Sequence, residues 1–183
     1  MKKAIVIILA ILVIGGLFYF NRSKEKTPSE AITPVSENGN FKPDPSNATF
    51  TFVDGPITLS NGVIDRSVVP DSSVMEEISL LDDTAYGDIN NDKKIDAVTL
   101  LARFGGGSGT FIYAGAFVSG PVNYKGSNVI FIGDRINPQS VSISDGIVTI
   151  KYLDRNPDQA FSEEPTIQKT MELIYSDGEL KER

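Results

Sequence analysis

A small all-β sandwich or barrel, carried behind an N-terminal transmembrane helix, is the fold class this sequence predicts. Three observations predict it. Short runs rich in Val, Ile, Thr, Phe and Tyr recur from Thr49 onward. Turn dipeptides punctuate them: Asp54-Gly55, Asn61-Gly62, Asp145-Gly146 and Asp177-Gly178. No convincing helical period runs through residues 48–183. An α+β arrangement, an antiparallel sheet with one short helix, is the alternative, because several runs are apolar on both faces.

The chain opens with Lys2 and Lys3, then Ala4–Phe20 without a charge. At about 1.5 Å per residue this run is slightly shorter than a ~30 Å hydrocarbon core. It is longer than the h-region of a cleavable leader, about 7–15 residues. Residues 1–20 therefore read as a signal anchor, with secretion after cleavage near Gly15-Gly16 as the alternative. Phe18, Tyr19 and Phe20 suit an interfacial belt. Arg22, Lys24 and Lys26 nearly balance the leading lysines, so orientation rests on the leader-like position, which puts the domain outside. Residues 21–47 are rich in Pro, Ser, Thr and Glu and read as a disordered linker. The domain proper is expected at 48–183.

Within it, Ala48–Val53 alternates and Pro56–Leu59 follows the Asp54-Gly55 turn. Val74–Leu81 suits a strand or a short helix. Ile95–Phe104, Thr110–Val118 and Asn128–Ile132 are nearly continuous apolar runs, which marks central strands covered on both faces. Ser140–Ser144 and Ile147–Leu153 flank a hairpin turn. Val148, Ile150 and Tyr152 alternate with Thr149 and Lys151, so this strand has one wet face. Thr166–Tyr175 puts Ile167, Met171, Leu173 and Tyr175 on one side. Eight or nine strands result.

Composition removes several chemistries. With no Cys there is no disulfide, thiolate nucleophile or zinc–sulfur site. With no His, a Ser-His-Asp triad is impossible, and so is the usual imidazole metal ligand. The net charge is −7, and residues 49–183, with 20 acidic and 11 basic side chains, carry −9. A domain this acidic, without a basic stripe, is not expected to bind nucleic acid.

One segment has metal-ligand spacing. In residues 88–96, oxygen-bearing side chains fall at the first, third, fifth and ninth positions: Asp88, Asn90, Asp92 and Asp96. A backbone carbonyl at Lys94 would add a further oxygen. A hard cation such as Ca²⁺ takes about 6–8 oxygens, and alternate side chains of a tight loop converge on one point. Lys93 stands where such loops use Gly, and Thr99 stands where an EF-hand has its bidentate Glu. The bland alternative is a polar turn whose carboxylates pair with Lys93 and Lys94.

Phe104–Thr110 contains a glycine-rich stretch but lacks the Lys-Ser or Lys-Thr of a phosphate loop and leads into a strand. It reads as a strand connection, with a groove-lining loop as the lesser reading. Asp134-Arg135 and Asp154-Arg155 suit surface pairing, and Glu163-Glu164 a solvated loop; a paired-carboxylate hydrolase is the functional alternative for them. Phe111, Tyr113, Phe117 and Phe131 are expected in the core.

The run Gly87-Asp88-Ile89-Asn90-Asn91-Asp92-Lys93-Lys94-Ile95-Asp96-Ala97-Val98, then Gly106-Gly107-Ser108-Gly109-Thr110-Phe111-Ile112-Tyr113, resembles a family of uncharacterised bacterial exported domains. In that family a GDLNGDGxxDAV loop leads into GGSGTFYY. The likeness continues through Tyr124–Asn128, the GDRI of Gly133–Ile136, Tyr152–Pro157 and Glu164-Pro165. It implies a secreted or membrane-attached cell-envelope protein. The loop alone also resembles the calcium loop of integrin-type propeller repeats, although one copy cannot build a propeller.

The expected function is thus a membrane-tethered, non-enzymatic binding or structural domain of the cell envelope, with a structural Ca²⁺ held by Asp88, Asn90, Asp92, Lys94 and Asp96. Its partners would be the membrane, through residues 1–20, and an envelope protein or polymer. A carboxylate-based wall hydrolase and an inhibitor of a lytic enzyme are the rivals.

Overall fold

The structure, a computed structural model, describes residues 41–183 apart from 69, 70, 72 and 161. The expected anchor at 1–20 and the linker up to residue 40 lie outside the described residues. Among the described residues, no helix is long and apolar enough to cross a membrane.

The domain is all-β, and its described residues form eleven strands in two sheets. They are β1 (Thr49–Phe52), β2 (Gly55–Thr58), β3 (Val63–Ser67), β4 (Met75–Gly87), β5 (Asp96–Gly105), β6 (Phe111–Ser119), β7 (Tyr124–Asp134), β8 (Asn137–Ser144), β9 (Ile147–Asp154), β10 (Ile167–Ser176) and β11 (Glu179–Glu182). The only helical turn among the described residues is the 3-10 turn Pro45–Asn47, capped by the Asp44 carboxylate. Val74–Leu81 is therefore strand: it opens β4, which runs on to Gly87 through an irregularity between Leu80 and Thr84. β3 and β11 are short edge strands of mixed polarity, and alternation is hard to detect over so few residues.

A seven-stranded sheet in the order β2-β1-β7-β6-β5-β4-β3 rolls into a nearly closed barrel. β2 passes to β3 through Asn61-Gly62, both at positive φ, so the two ends of the roll are joined by one tight turn. The second sheet, β11-β10-β9-β8, packs on the outside of β5 and β6. β5 and β6 are consequently covered on both faces. Val98, Leu100, Ala102, Ile112, Ala114 and Ala116 meet Val148, Ile150 and Leu173 of the second sheet. Ala97, Leu101 and Phe117 meet Phe50, Phe52 and Ile57 inside the roll. This is why their sequences are apolar without alternation.

Two glycines permit the roll. β1 lies parallel to β7, and a Cβ on Gly126 would sit 2.1 Å from the Thr49 carbonyl oxygen. A Cβ on Gly115 would sit 2.8 Å from the Phe50 ring, which is fully buried there. Residues ahead of β1 also belong to the fold: Pro43 and Pro45 are buried, and the Phe41 ring lies 6.0 Å from that of Tyr124.

Asn128 ties the two sheets together. Its backbone pairs with Thr51 of β1, while its side chain copies a strand's hydrogen bonding toward β11. Nδ2 donates to the Leu180 carbonyl, and the Leu180 N–H donates to Oδ1, both at 2.8 Å.

Candidate functional site

Residues 88–95 join β4 to β5 and wind tightly through side chain-to-backbone bonds. The Asp88 carboxylate accepts the N–H of Asp92 at 3.2 Å and of Lys93 at 2.8 Å. Asn90 Oδ1 accepts the same Asp92 N–H at 3.0 Å. Asp92 Oδ1 accepts the Lys94 N–H at 2.9 Å. Short Asx side chains do this readily, each capping backbone a few residues ahead. Asp88 and Asn90 thereby place oxygens around one point. Asn91 and Lys93 both lie in the left-handed region, with φ of 62° and 67°. Asn tolerates it; at Lys93 a Cβ pays roughly 1 kcal/mol where glycine would not. The loop thus takes the sharp turn even without the glycine.

Asp96 lies beneath the loop, with no exposure. Its carboxylate accepts the N–H of Ile89 at 2.9 Å and of Ser119 at 2.8 Å, so it latches the loop to the end of β6. Burial pushes its carboxyl up, against the two N–H donors. Ser119 also donates its hydroxyl to Asp92 Oδ2 at 2.7 Å. At Asp92, burial acts upward, but the Ser119 hydroxyl, the Lys94 N–H and Asn90 outweigh it and hold the carboxyl below its ordinary value. The Lys94 ammonium turns back to the Gly120 carbonyl at 3.3 Å and stands 3.9 Å from Asp92 Oδ2.

Of the five expected ligands, Asp88, Asn90 and Asp92 are gathered in the loop, and Asp96 is held against the sheet below. Lys94 contributes its side chain to the loop as well as its backbone. The donors are all oxygens, the chemistry a hard cation takes. Among the described residues no three Asp or Glu side chains converge as a metal-binding group, so Asn90 and a backbone carbonyl are needed to complete any set.

Each carboxylate of the hydrolase alternative is engaged by a neighbour or exposed. Asp134 accepts the Thr110 N–H and pairs with Arg135 at 2.7 Å. Asp154 pairs with Lys169 at 2.7 Å, which holds its carboxyl low. Glu164 is exposed. The two Asp-Arg pairs are linked through Arg155, which donates to the Arg135 carbonyl and to that of Glu163. A general acid needs a raised pKa, and Asp154 has the opposite.

A second constellation was not foreseen from sequence. At one end of the barrel, Glu76 is buried and accepts from Arg66 Nε at 2.6 Å and Arg103 Nε at 2.8 Å. Asp54 closes the ring: it takes Arg66 Nη2 at 2.6 Å and both terminal nitrogens of Arg103 at 2.9 Å. The Arg103 hydrogen bonds bring Asp54 down to about 2, and its partners push Arg103 up. Beside the ring lies a groove of about 310 Å³, lined by Val68, Val74, Gly105, Gly106, Phe111 and Tyr113. The glycine-rich connection therefore does line a groove. Of the aromatics expected in the core, Phe117 is buried, but Phe111 and Phe131 are 37% and 50% exposed. They stand near this open end, beyond the cover that β1 and β2 give the rest of the barrel interior.

No known protein family, curated protein or solved structure matches the chain.

Proposed function

We propose that the chain is a membrane-tethered cell-envelope binding domain whose 88–96 loop takes a structural Ca²⁺. The observation that carries the calcium reading is the gathering of Asp88 Oδ1 and Asn90 Oδ1 on one N–H, that of Asp92. Asp88, Asn90, Asp92, the Lys94 carbonyl and Asp96 would hold the ion. Bound there, it would offset the repulsion among the carboxylates and brace the β4–β5 connection against the end of β6. Tethering rests on the uncharged run Ala4–Phe20, and the envelope on the exported-domain likeness.

A second reading is favoured by Lys94. Its ammonium, 3.9 Å from Asp92 Oδ2, would serve as a built-in cation and make the loop self-sufficient. Thermal melting against Ca²⁺ separates the two. For a Kd of about 1 mM, the weak end for extracellular modules, ~10 mM Ca²⁺ stabilises by about 1.4 kcal/mol. That corresponds to roughly 3–6 °C for a domain of this size. The shift should vanish in Asp92→Ala. No shift, or the same shift in that variant, selects the lysine reading.

A further inference from the structure

We propose that the open end of the barrel is a binding site for a neutral saccharide. Glu76 and Arg103 line the groove, and behind them Asp54 and Arg66 complete a ring of two cations and two anions with no net charge. An anionic ligand meets the Glu76 carboxylate, and a cationic one meets the Arg103 guanidinium, so neither gains from the pair as a whole. A purely apolar ligand would strip water from Arg103, whose side chain keeps 17% of its exposure. Hydroxyl groups suit the floor, because each can donate to a carboxylate and accept from a guanidinium.

The wall supplies the other half of the recognition. Phe111 and Tyr113 line the groove, and Phe131 packs against them, its ring centroid 5.4 Å from Tyr113 and 6.4 Å from Phe111, forming an aromatic cluster partly open to water. Aromatic rings present a negative face to the polarised C–H groups of a sugar ring, as they do to cations. Val68 and Val74, 44% and 45% exposed, extend the apolar rim. Gly105 and Gly106 put backbone rather than side chains against the groove. Its volume, about 310 Å³, is at the lower end for small-ligand sites, so one or two sugar rings would occupy it.

This inference rests on reading the domain as a binding module, and it is independent of calcium. The test uses the full chain in lipid nanodiscs, titrated calorimetrically with chitotetraose, cellotetraose and mannotetraose, and with a hyaluronan tetrasaccharide as the charged comparison. Saturable binding of at least one neutral sugar, with a Kd of about 10 mM or tighter, is expected. Phe111→Ala and the double variant Phe111→Ala/Phe131→Ala should weaken it about tenfold or more, through lost stacking. Both variants lose half-buried rings of the cluster, so each should melt below the parent yet unfold cooperatively and stay folded at the titration temperature. Absence of saturable binding by every neutral sugar would overturn the proposal, as would undiminished binding in the double variant or stronger binding of the charged sugar. Capture of an envelope protein by the same nanodiscs, without sugar binding, would sink the saccharide site and leave the binding-module reading standing.

Discussion

Asn128→Ala should cost more than a half-buried polar substitution normally does. The Asn128 amide makes two hydrogen bonds at 2.8 Å to the backbone of Leu180, a residue 1% exposed. Removing it leaves one N–H and one C=O of β11 without these partners. An unsatisfied buried group costs about 1–3 kcal/mol, and β11 is at a sheet edge where water can partly compensate. Taking the lower half of that range twice gives about 2–4 kcal/mol. Equilibrium urea unfolding should show the midpoint falling with an unchanged slope. Amide exchange at Leu180 should accelerate before global unfolding does. Asn128→Asp is a sharper probe. It keeps an acceptor for the Leu180 N–H but sets a carboxylate oxygen against the Leu180 carbonyl. The introduced carboxyl should titrate above its ordinary value in the folded state. The variant would then be weakest at neutral pH and recover toward the parent as pH falls through that raised value. A loss below about 0.5 kcal/mol in Asn128→Ala would refute the idea that this side chain serves as a strand link between the sheets.

Glu76→Ala should destabilise far more than Asp54→Ala. The first leaves two guanidinium groups facing a buried gap, about 3 kcal/mol or more; the second removes a carboxylate with 38% of its side chain exposed, about 1 kcal/mol after solvent screening. Equal losses in chemical denaturation would contradict the burial of the ring. Lys93→Gly should raise stability by roughly 0.5–1 kcal/mol, because it relieves a φ of 67° while keeping the N–H that Asp88 accepts; a drop in melting temperature would mean the Lys93 side chain holds the loop. Acid should erode stability from Asp54 in a defined window. The Arg103 hydrogen bonds hold its carboxyl at about 2 in the folded protein, below its ordinary 3.8. Its contribution is therefore present above about pH 4 and lost as pH falls toward 2. Asp54→Asn should flatten that limb of the pH–stability curve, and an unchanged limb would show that the loss comes from other groups.

Much of the framework was legible in residues 41–183. Turn dipeptides such as Asn61-Gly62, Asp145-Gly146 and Asp177-Gly178 specify positive φ locally, and all six residues adopt it. The unbroken apolar runs of β5 and β6 predicted cover on both faces, because a strand with one wet face must alternate. The spacing of Asp88, Asn90 and Asp92 also spoke directly, since Asx side chains cap backbone only a few residues away. Lys93 was a warning that the structure resolves: the loop accepts a left-handed lysine. The strand-or-helix ambiguity at Val74–Leu81 could not be resolved in isolation, because pairing with β3 and β5 decides it.

The sequence by itself determined where chains turn, which strands lie inside and which side chains form the aspartate loop, since each depends on neighbours within a few residues. Only the tertiary structure decided that β1 lies parallel to β7, that Asn128 meets Leu180 at a separation of 52 positions, and that Asp54 meets Arg103 at 49. No local pattern encodes such pairs. Two charged residues far apart look like surface residues until the rolling of the sheet closes them into one ring. That rolling also left Phe111 and Phe131 at the open end, although their strands read as core. Burial is a property of what covers a residue, and here the cover comes from distant strands.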